Sequence, residues 1–240
     1  MENYGKDWVD SAESWIKFVD QGDLNRNLLL DPVMLNFCED IAGKNVLDVG
    51  CGEGRFCRML SKRGAITTGI DPIGKMIETA QERHSTGIYL QQGAESLSFS
   101  ENSFDFVVSY ITLIDILDYK KAIFEMARVT KPGGKILVAN VSAFATAKLG
   151  VQDKNEQGER LYDKSNHYMA ERSEWTEWQG LGVWQHHRPL SWIFQAFLQC
   201  DLVLKEFIEP IASAEVMEKF PSFFEEDLIS PNFYVMLWQK

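Results

Sequence analysis

The sequence predicts an α/β fold, doubly wound on a seven-stranded and mostly parallel sheet. Three observations carry that expectation. From residue 44 to 141, short β-branched runs alternate with stretches of helical periodicity, the rhythm of parallel βαβ units. The first run ends in a turn with glycines at alternate positions, Gly50, Gly52 and Gly54. The second ends in Asp71-Pro72, and proline there suits the first position of a helix.

The elements follow in order. Strand one is Asn45 to Val49, and a helix from about Arg55 to Lys62 follows its glycine turn. Strand two is Ile66 to Ile70; the next helix runs to about His84, with Met76, Ile77 and Ala80 at helical spacing. Strand three is Ile88 to Leu90. Strand four, Phe104 to Val108, is almost continuously apolar, as a strand covered on both faces should be. A helix from about Tyr119 to Val129 stops at Lys131-Pro132-Gly133-Gly134, which cannot continue it, and strand five is Lys135 to Val141.

The rhythm then breaks. Residues 143–187 are polar, punctuated by glycine and rich in Trp, Tyr and His, and read as an α/β cap inserted between strands five and six. After Pro189, a helix from Ser191 to Gln199 returns to the core, followed by strands at Leu202–Ile208 and Asn232–Trp238. Four segments result: a helical segment at 1–43 covering the cofactor site, a cofactor-binding core at 44–142, a substrate-side cap at 143–187 and a completion of the sheet at 188–240.

Composition narrows the function. The chain has 240 residues, 45% of them apolar, enough to bury a sizeable core. The charged N-terminus has no apolar h-region, and the most apolar stretch, Ile136 to Ala147, is too short to span a bilayer. The expectation is a soluble, cytoplasmic chain, monomeric or homodimeric. Cys38, Cys51, Cys57 and Cys200 show no metal or dithiol spacing, so they read as reduced core residues, and no metal is expected. A net charge of −11 without a basic cluster argues against nucleic acid as partner.

The strongest chemical signal is Val46-Leu47-Asp48-Val49-Gly50-Cys51-Gly52-Glu53-Gly54-Arg55. Glycines let the chain turn sharply and let a ligand lie against bare peptide groups. The spacing is not that of a dinucleotide turn, because Gly54 comes one place early and Arg55 takes the expected glycine position. That counts against a nicotinamide oxidoreductase. Asp71, about twenty residues on, stands where a carboxylate can accept both hydroxyls of a ribose. Gly50–Gly54, Asp71, Ala94-Glu95 and Ser109-Tyr110 all fall at the carboxyl edge of the sheet, where open α/β folds bind ligands.

With Gly69-Ile70-Asp71-Pro72, Ala94-Glu95-Ser96-Leu97, Ser103-Phe104-Asp105 and Arg128 to Gly134, these residues resemble the class I S-adenosylmethionine (SAM)-dependent methyltransferases. The similarity is to their UbiE-like group, the methyltransferase type 11 domain, strongly over residues 44–141. It implies a Rossmann-like fold, SAM as cofactor and a small organic acceptor. It also implies that Asp48 and the backbone of Gly50 and Gly52 lie near the methionine part of SAM, that Cys51 and Gly54 of the same turn bind the cofactor, and that Ser109 contacts the methionine amino group. Asp71 would hold the ribose beside Pro72, Ile73 and Met76 would pack on the adenine, and Ala94 with Glu95 would meet its edge. Many relatives carry Asp just before the Ala-Glu pair, where this chain has Gly93. Arg26, next to Asn25, could close on the SAM carboxylate.

The acceptor side is read from residue chemistry alone. A hydroxyl acceptor usually needs a base, and His suits neutral pH. His187, just before the returning helix, is the preferred candidate, and His186 the next. Tyr110, His167, Trp175 and Trp184, with Trp178, are candidate walls of an aromatic or apolar acceptor pocket. No Asn-Pro-Pro-Tyr motif occurs, which argues against amide and adenine nitrogen as acceptors. Two rivals are a SAM-binding regulator without chemistry, and a methyltransferase acting on RNA or protein.

Overall fold

The computed structural model describes residues 5–84, 86–154, 156–157 and 160–240. Seven strands form the sheet: β1 (Asn45–Val49), β2 (Ile66–Asp71), β3 (Ile88–Gln91), β4 (Phe104–Tyr110), β5 (Thr130–Val141), β10 (Val203–Ile208) and β11 (Phe233–Gln239). Their spatial order is β10-β11-β5-β4-β1-β2-β3. The first five strands in sequence pair parallel, and β11 runs antiparallel between β5 and β10. The order reverses at β1 and β4, which opens a crevice at their carboxyl ends.

Side-chain alternation divides the core between the two faces of this sheet. Leu47, Val49, Val107, Ile136, Val138 and Trp238 face one cluster, closed by α5 (Tyr119–Val129) and α7 (Leu190–Leu198). Val46, Phe106, Val108, Leu137 and Val235 face the other, closed by α2 (Asp31–Asn36) and α3 (Arg55–Ser61). Trp238 is fully buried and stacks on Phe197, centroids 5.0 Å apart. All four cysteines are free thiols.

Strand β5 begins earlier than the sequence suggests. Gly133 takes a left-handed φ of 78°, and the register slips so that Phe104 pairs Thr130 while Phe106 pairs Lys135. Backbone bonds between Gly133, Gly134 and Lys240 draw this bulge into the end of β11.

Two regions complete the molecule above the crevice. The helix α1 (Lys6–Gln21) is followed by a π-helical segment at Asn25–Leu30 that runs into α2. Between β5 and α7 come a single helical turn, α6 (Ala143–Thr146), and two antiparallel hairpins. These are β6 (Lys148–Lys154) with β7 (Arg160–Ser165), and β8 (Arg172–Trp178) with β9 (Leu181–His187). Among the described residues, helix contributes one turn to this insertion and its other regular elements are strands. The β8–β9 turn, Gln179-Gly180, has both φ values positive (50° and 77°), as a tight two-residue hairpin requires. Among the described residues, α4 (Gly74–Arg83) flanks β2 and β3, and no helix is long and apolar enough to cross a membrane.

Candidate active site

A single cleft of about 490 Å³ lies over the carboxyl edge of β1, β2 and β4, roofed by α1 and β9. The roof is tied on both sides. Ser11 Oγ bonds both the carbonyl and the amide of Gly182, at 3.0 and 3.2 Å, and Asp7 Oδ2 accepts the Trp184 amide at 2.8 Å. On the other side Arg83 pairs with Asp20 at the end of α1 and with the buried Glu53.

The glycine turn shapes the floor. Gly50 has φ 73°, and a side chain there would lie 2.2 Å from the Thr112 methyl, so this position admits glycine alone. Gly52 leaves bare backbone beneath the Trp15 indole, 3.5 Å from where a Cβ would stand. Asp71 braces the turn: its carboxylate accepts the Gly52 amide at 3.0 Å and the Ile73 amide at 2.9 Å. Each carboxylate oxygen has room for a further donor. Burial raises the pKa of Asp71 to about 6, against the pull of those two amides. Burial likewise raises Asp48 to about 7, opposed by the Cys57 thiol and Arg55. Asp48 Oδ1 has no protein partner.

Most of the expected cofactor residues line this cleft. Asp48, Gly50, Cys51 and Gly52 do so from the turn, and Asp71, Pro72, Ile73 and Met76 from the second unit. Ala94 and Glu95 line it with Gly93, and Arg26 with Asn25. Arg26 is held by Asp23 at 2.6 Å and stacks on Trp15, 4.6 Å from the ring centroid. The π-helical segment makes that possible: Asp23 accepts the Asn25 and Arg26 amides at its start, turning both side chains inward.

Two of the expected cofactor residues stand apart from the cleft. Gly54 does not line the cleft; its φ of 78° and the approach of Tyr89 and Ala80 make it a packing position at the head of α3. Ser109 is fully buried within β4 and does not reach the cleft either. The next residues do. Ile111, a β-branched residue held at φ 53°, turns the chain so that it and Thr112 line the floor.

The acceptor-side expectations fare worse. His187 is 2% exposed and lies outside the cleft. Its Nδ1 meets Thr146 Oγ1 at 2.6 Å and its Nε2 meets the Tyr168 carbonyl at 2.8 Å, so both nitrogens are committed within the cap. His186 is also buried outside the cleft, with Nδ1 on Ser173 Oγ at 2.7 Å. Burial lowers the pKa of both, which favours the neutral ring. His167 is exposed on the turn after β7, away from the cleft. Trp175 points outward and packs edge-on against Trp184. Trp184, Trp178 and Tyr110 do line the cleft; the Tyr110 hydroxyl donates to Asp31, which also pairs with Arg55.

The cleft has two ends, set by strand order. Over β2 and β3 lie Asp71, Ile73, Met76 and Ala94. Over β4, β5 and β11 lie Ile114, Asp115, Ile116, Val141 and Phe233, faced by Asp7 and Trp8 of α1 and by Val183, Trp184 and Gln185 of β9. Asp7, Trp8, Trp15, Thr112 and Asp115 were not expected from sequence. Their positions carry no local motif, although Trp8 and Trp15 share one face of an amphipathic helix.

Fold and site together define a doubly wound α/β protein with a ligand cleft at the switch point of its sheet. A family model for a methyltransferase domain matches residues 47–138. The ubiquinone biosynthesis O-methyltransferase of Coxiella burnetii (strain Dugway 5J108-111) is 30% identical over 199 residues, 76% of this chain and 84% of the relative. A malonyl-[acyl-carrier protein] O-methyltransferase of Serratia marcescens is 33% identical over 118 residues, 49% of this chain and 46% of the relative. A SAM-dependent methyltransferase structure from Mesorhizobium loti shares the fold with a TM-score of 0.80 at 22% identity, covering 92% of this chain and 99% of that one.

The chain belongs to the class I SAM-dependent methyltransferases, in the type 11 domain group. It is an enzyme, and SAM is its cofactor. The cleft fits that molecule: Gly52 leaves backbone open, buried Asp48 Oδ1 wants a partner, and aromatic faces with buried carboxylates suit a sulfonium cation. Its acceptor is a small molecule.

Proposed function

We propose that this enzyme transfers a methyl group to a hydroxyl oxygen of a small, neutral acceptor with an aromatic or apolar body. The observation that carries this reading is the chemistry of the cleft end over β4, β5 and β11. Its walls are Trp8, Ile114, Ile116, Val183, Trp184 and Phe233, and its charged side chains are two carboxylates, Asp7 and Asp115. The arginines lining the cleft, Arg26 and Arg55, are paired with Asp23 and Asp31. A carboxylate acceptor, such as the malonyl group in one relative's name, would meet like charge there. Both relatives' names specify transfer to oxygen.

SAM supplies an electrophilic methyl group on a sulfonium. In this reading Asp71 accepts the ribose hydroxyls, Ile73 and Met76 pack on the adenine, and Ala94 with Glu95 meets its edge. Arg26, already oriented by Asp23 and Trp15, pairs with the methionine carboxylate. The glycine backbone and Asp48 enclose the rest of the methionine. The chain's contribution to rate is first alignment, since an in-line displacement depends on holding the acceptor oxygen behind the methyl carbon.

The test is transfer of label from methyl-labelled SAM to three matched acceptors: an alkyl catechol, the same ring bearing a carboxylate, and an alkyl amine. Label in the catechol ether is the expected result. Transfer confined to the carboxylate or the amine would overturn the assignment.

A further inference from the structure

We propose that Asp115 takes the acceptor's hydroxyl proton during methyl transfer, on a loop that Arg188 and Asn140 clamp at the acceptor end of the cleft. This rests on the hydroxyl acceptor proposed above.

The loop that carries Asp115, between β4 and α5, is held as few surface loops are. The buried Arg188 guanidinium donates to the Leu113 carbonyl at 2.8 Å, to the Leu117 carbonyl at 3.0 Å and to the Ile116 carbonyl. Its Nε pairs with Glu171 of the cap at 3.0 Å, and it lies 4.4 Å from the centroid of the Tyr119 ring. Asn140 of β5 accepts the Ile114 amide at 3.1 Å and is itself bonded to Tyr234. The His186 amide closes on the Ile114 carbonyl at 2.8 Å. Side chains and backbone from two distant segments, β5 and the stretch 186–188, therefore fix the path of residues 113–117. A backbone this fully satisfied leaves Ile114, Asp115 and Ile116 in one arrangement along the cleft wall.

The carboxylate of Asp115 accepts a hydrogen bond from the Trp8 side chain of α1. The charged groups around it are Asp7 and Arg26 from the N-terminal segment and Asp71 at the end of β2; its β9 neighbours, Trp184 and Gln185, are neutral. Burial raises its pKa well above the usual carboxylate range, with Asp7 and Asp71 adding to the rise and Trp8 and Arg26 opposing it. A base whose pKa moves toward neutrality is better matched to a hydroxyl proton. A cationic sulfonium in the same cleft draws that value back down and keeps the carboxylate ionised. The other carboxylate at this end, Asp7, is partly exposed and already accepts the Trp184 amide. None of the four histidines lines the cleft.

The step balances. The acceptor oxygen forms a bond to the methyl carbon as its O–H proton passes to Asp115. The electron pair of the breaking C–S bond stays on sulfur, and the proton leaves Asp115 for water when the products go.

The test uses Asp115→Asn, which keeps the shape, and a series of phenols whose own pKa runs from well above to well below the assay pH. Asp115→Asn should still bind SAM by calorimetry, weakened by no more than about 10-fold, because the amide cannot ionise beside the sulfonium. Turnover of the high-pKa phenols should fall on the order of 10²- to 10⁴-fold, the range of a general base. That loss should shrink toward nothing as the acceptor becomes ionised on its own. A uniform loss across the series, or no loss, would overturn the role of Asp115. Arg188→Lys, which keeps the charge but shortens the fork, should give the same acceptor dependence at about 10-fold; it decides the matter if Asp115→Asn does not bind SAM. A wild-type enzyme that methylates no phenol would instead refute the hydroxyl acceptor.

Discussion

The two ends of the cleft are built by different means. The end over β2 and β3 is made from one contiguous stretch, residues 48–95, in which Asp71 braces the backbone amides of Gly52 and Ile73. The end over β4, β5 and β11 is assembled from α1, the Asp115 loop, the tip of β5, the β9 hairpin and the start of β11. What the first end recognises is therefore constrained by chain geometry, because a glycine turn and a strand-end carboxylate leave few alternatives. What the second recognises depends on side chains that loops and a hairpin bring together, and such segments change with little cost to the fold.

The comparison is tested most strongly at Asp71. Removing its carboxylate in Asp71→Ala takes away two bonds to the turn as well as the groups proposed to receive the ribose. Charge-assisted bonds contribute about 1.5–3 kcal/mol each, so SAM affinity should fall on the order of 10²-fold or more. Calorimetry on folded protein measures it. An affinity within about 5-fold of wild type would mean that the contiguous end is not where the adenosine lies.

The other end should respond in the acceptor and not in SAM. Trp184→Ala removes a half-exposed aromatic from the rim of the cleft, and the KM for an aromatic acceptor should rise about 5-fold while SAM affinity stays within about 2-fold. Trp175→Ala is the matched control. It packs on Trp184 from outside the cleft and should change the acceptor KM less than about 3-fold. Equal effects from the two would place the acceptor on the outer face of the hairpin. A loss of SAM binding in Trp184→Ala would erase the division between the ends.

A smaller effect follows from the buried acids of the first end. Asp48 and Asp71 titrate near 7 and 6 in the folded protein against 3.8 as the ordinary value. The folded state holds these protons more tightly than the unfolded chain. Their contribution to stability is therefore complete below about pH 4 and is lost as pH rises through about 6 and then about 7. SAM-free protein should show a declining Tm over that window. A cationic cofactor reverses the preference, because it favours the ionised carboxylates. SAM affinity should rise several-fold between pH 5.5 and 7.5 and level off above, read by calorimetry in a series of buffers. A flat profile would show that neither acid changes protonation when SAM binds.

The same contrast explains what the amino-acid sequence made legible. Every strand and helix of the βαβ repeats could be placed, because each is local: a β-branched run, a helical spacing, a glycine or proline stop. Within the glycine turn, spacing alone could not separate Gly52, under the open cleft, from Gly54, which packs on Tyr89, because both need the same left-handed backbone. Ser109 failed for a related reason: β4 alternates, and Ile111 beyond its end breaks the alternation with a positive φ that no pattern signals. Asp115 and Trp8 stand more than a hundred residues apart in helical and loop segments with no shared signature. Only tertiary packing brings them together. Residue type, and for His187 a place just before the returning helix, are what the sequence shows of the histidines, and neither says which way β9 turns its side chains.

His187 separates the two kinds of inference by a direct measurement. Its Nε2 faces the Tyr168 carbonyl, so that nitrogen carries the proton, and Nδ1 then accepts from Thr146. The ring is thus a neutral strut between α6, the turn after β7 and β9, with burial holding its pKa below the ordinary value. His187→Gln should strain or break one of these buried bonds, at a cost of about 1–3 kcal/mol. In a chain of this size that corresponds to a Tm lower by roughly 3–10 °C. Turnover measured well below the transition should stay within about 2-fold, with an unchanged pH profile, because the ring lies outside the cleft. Turnover lowered more than about 10-fold at an unchanged Tm would return the base to His187. It would also mean that the hairpin moves during the reaction, since both nitrogens are committed where they now stand.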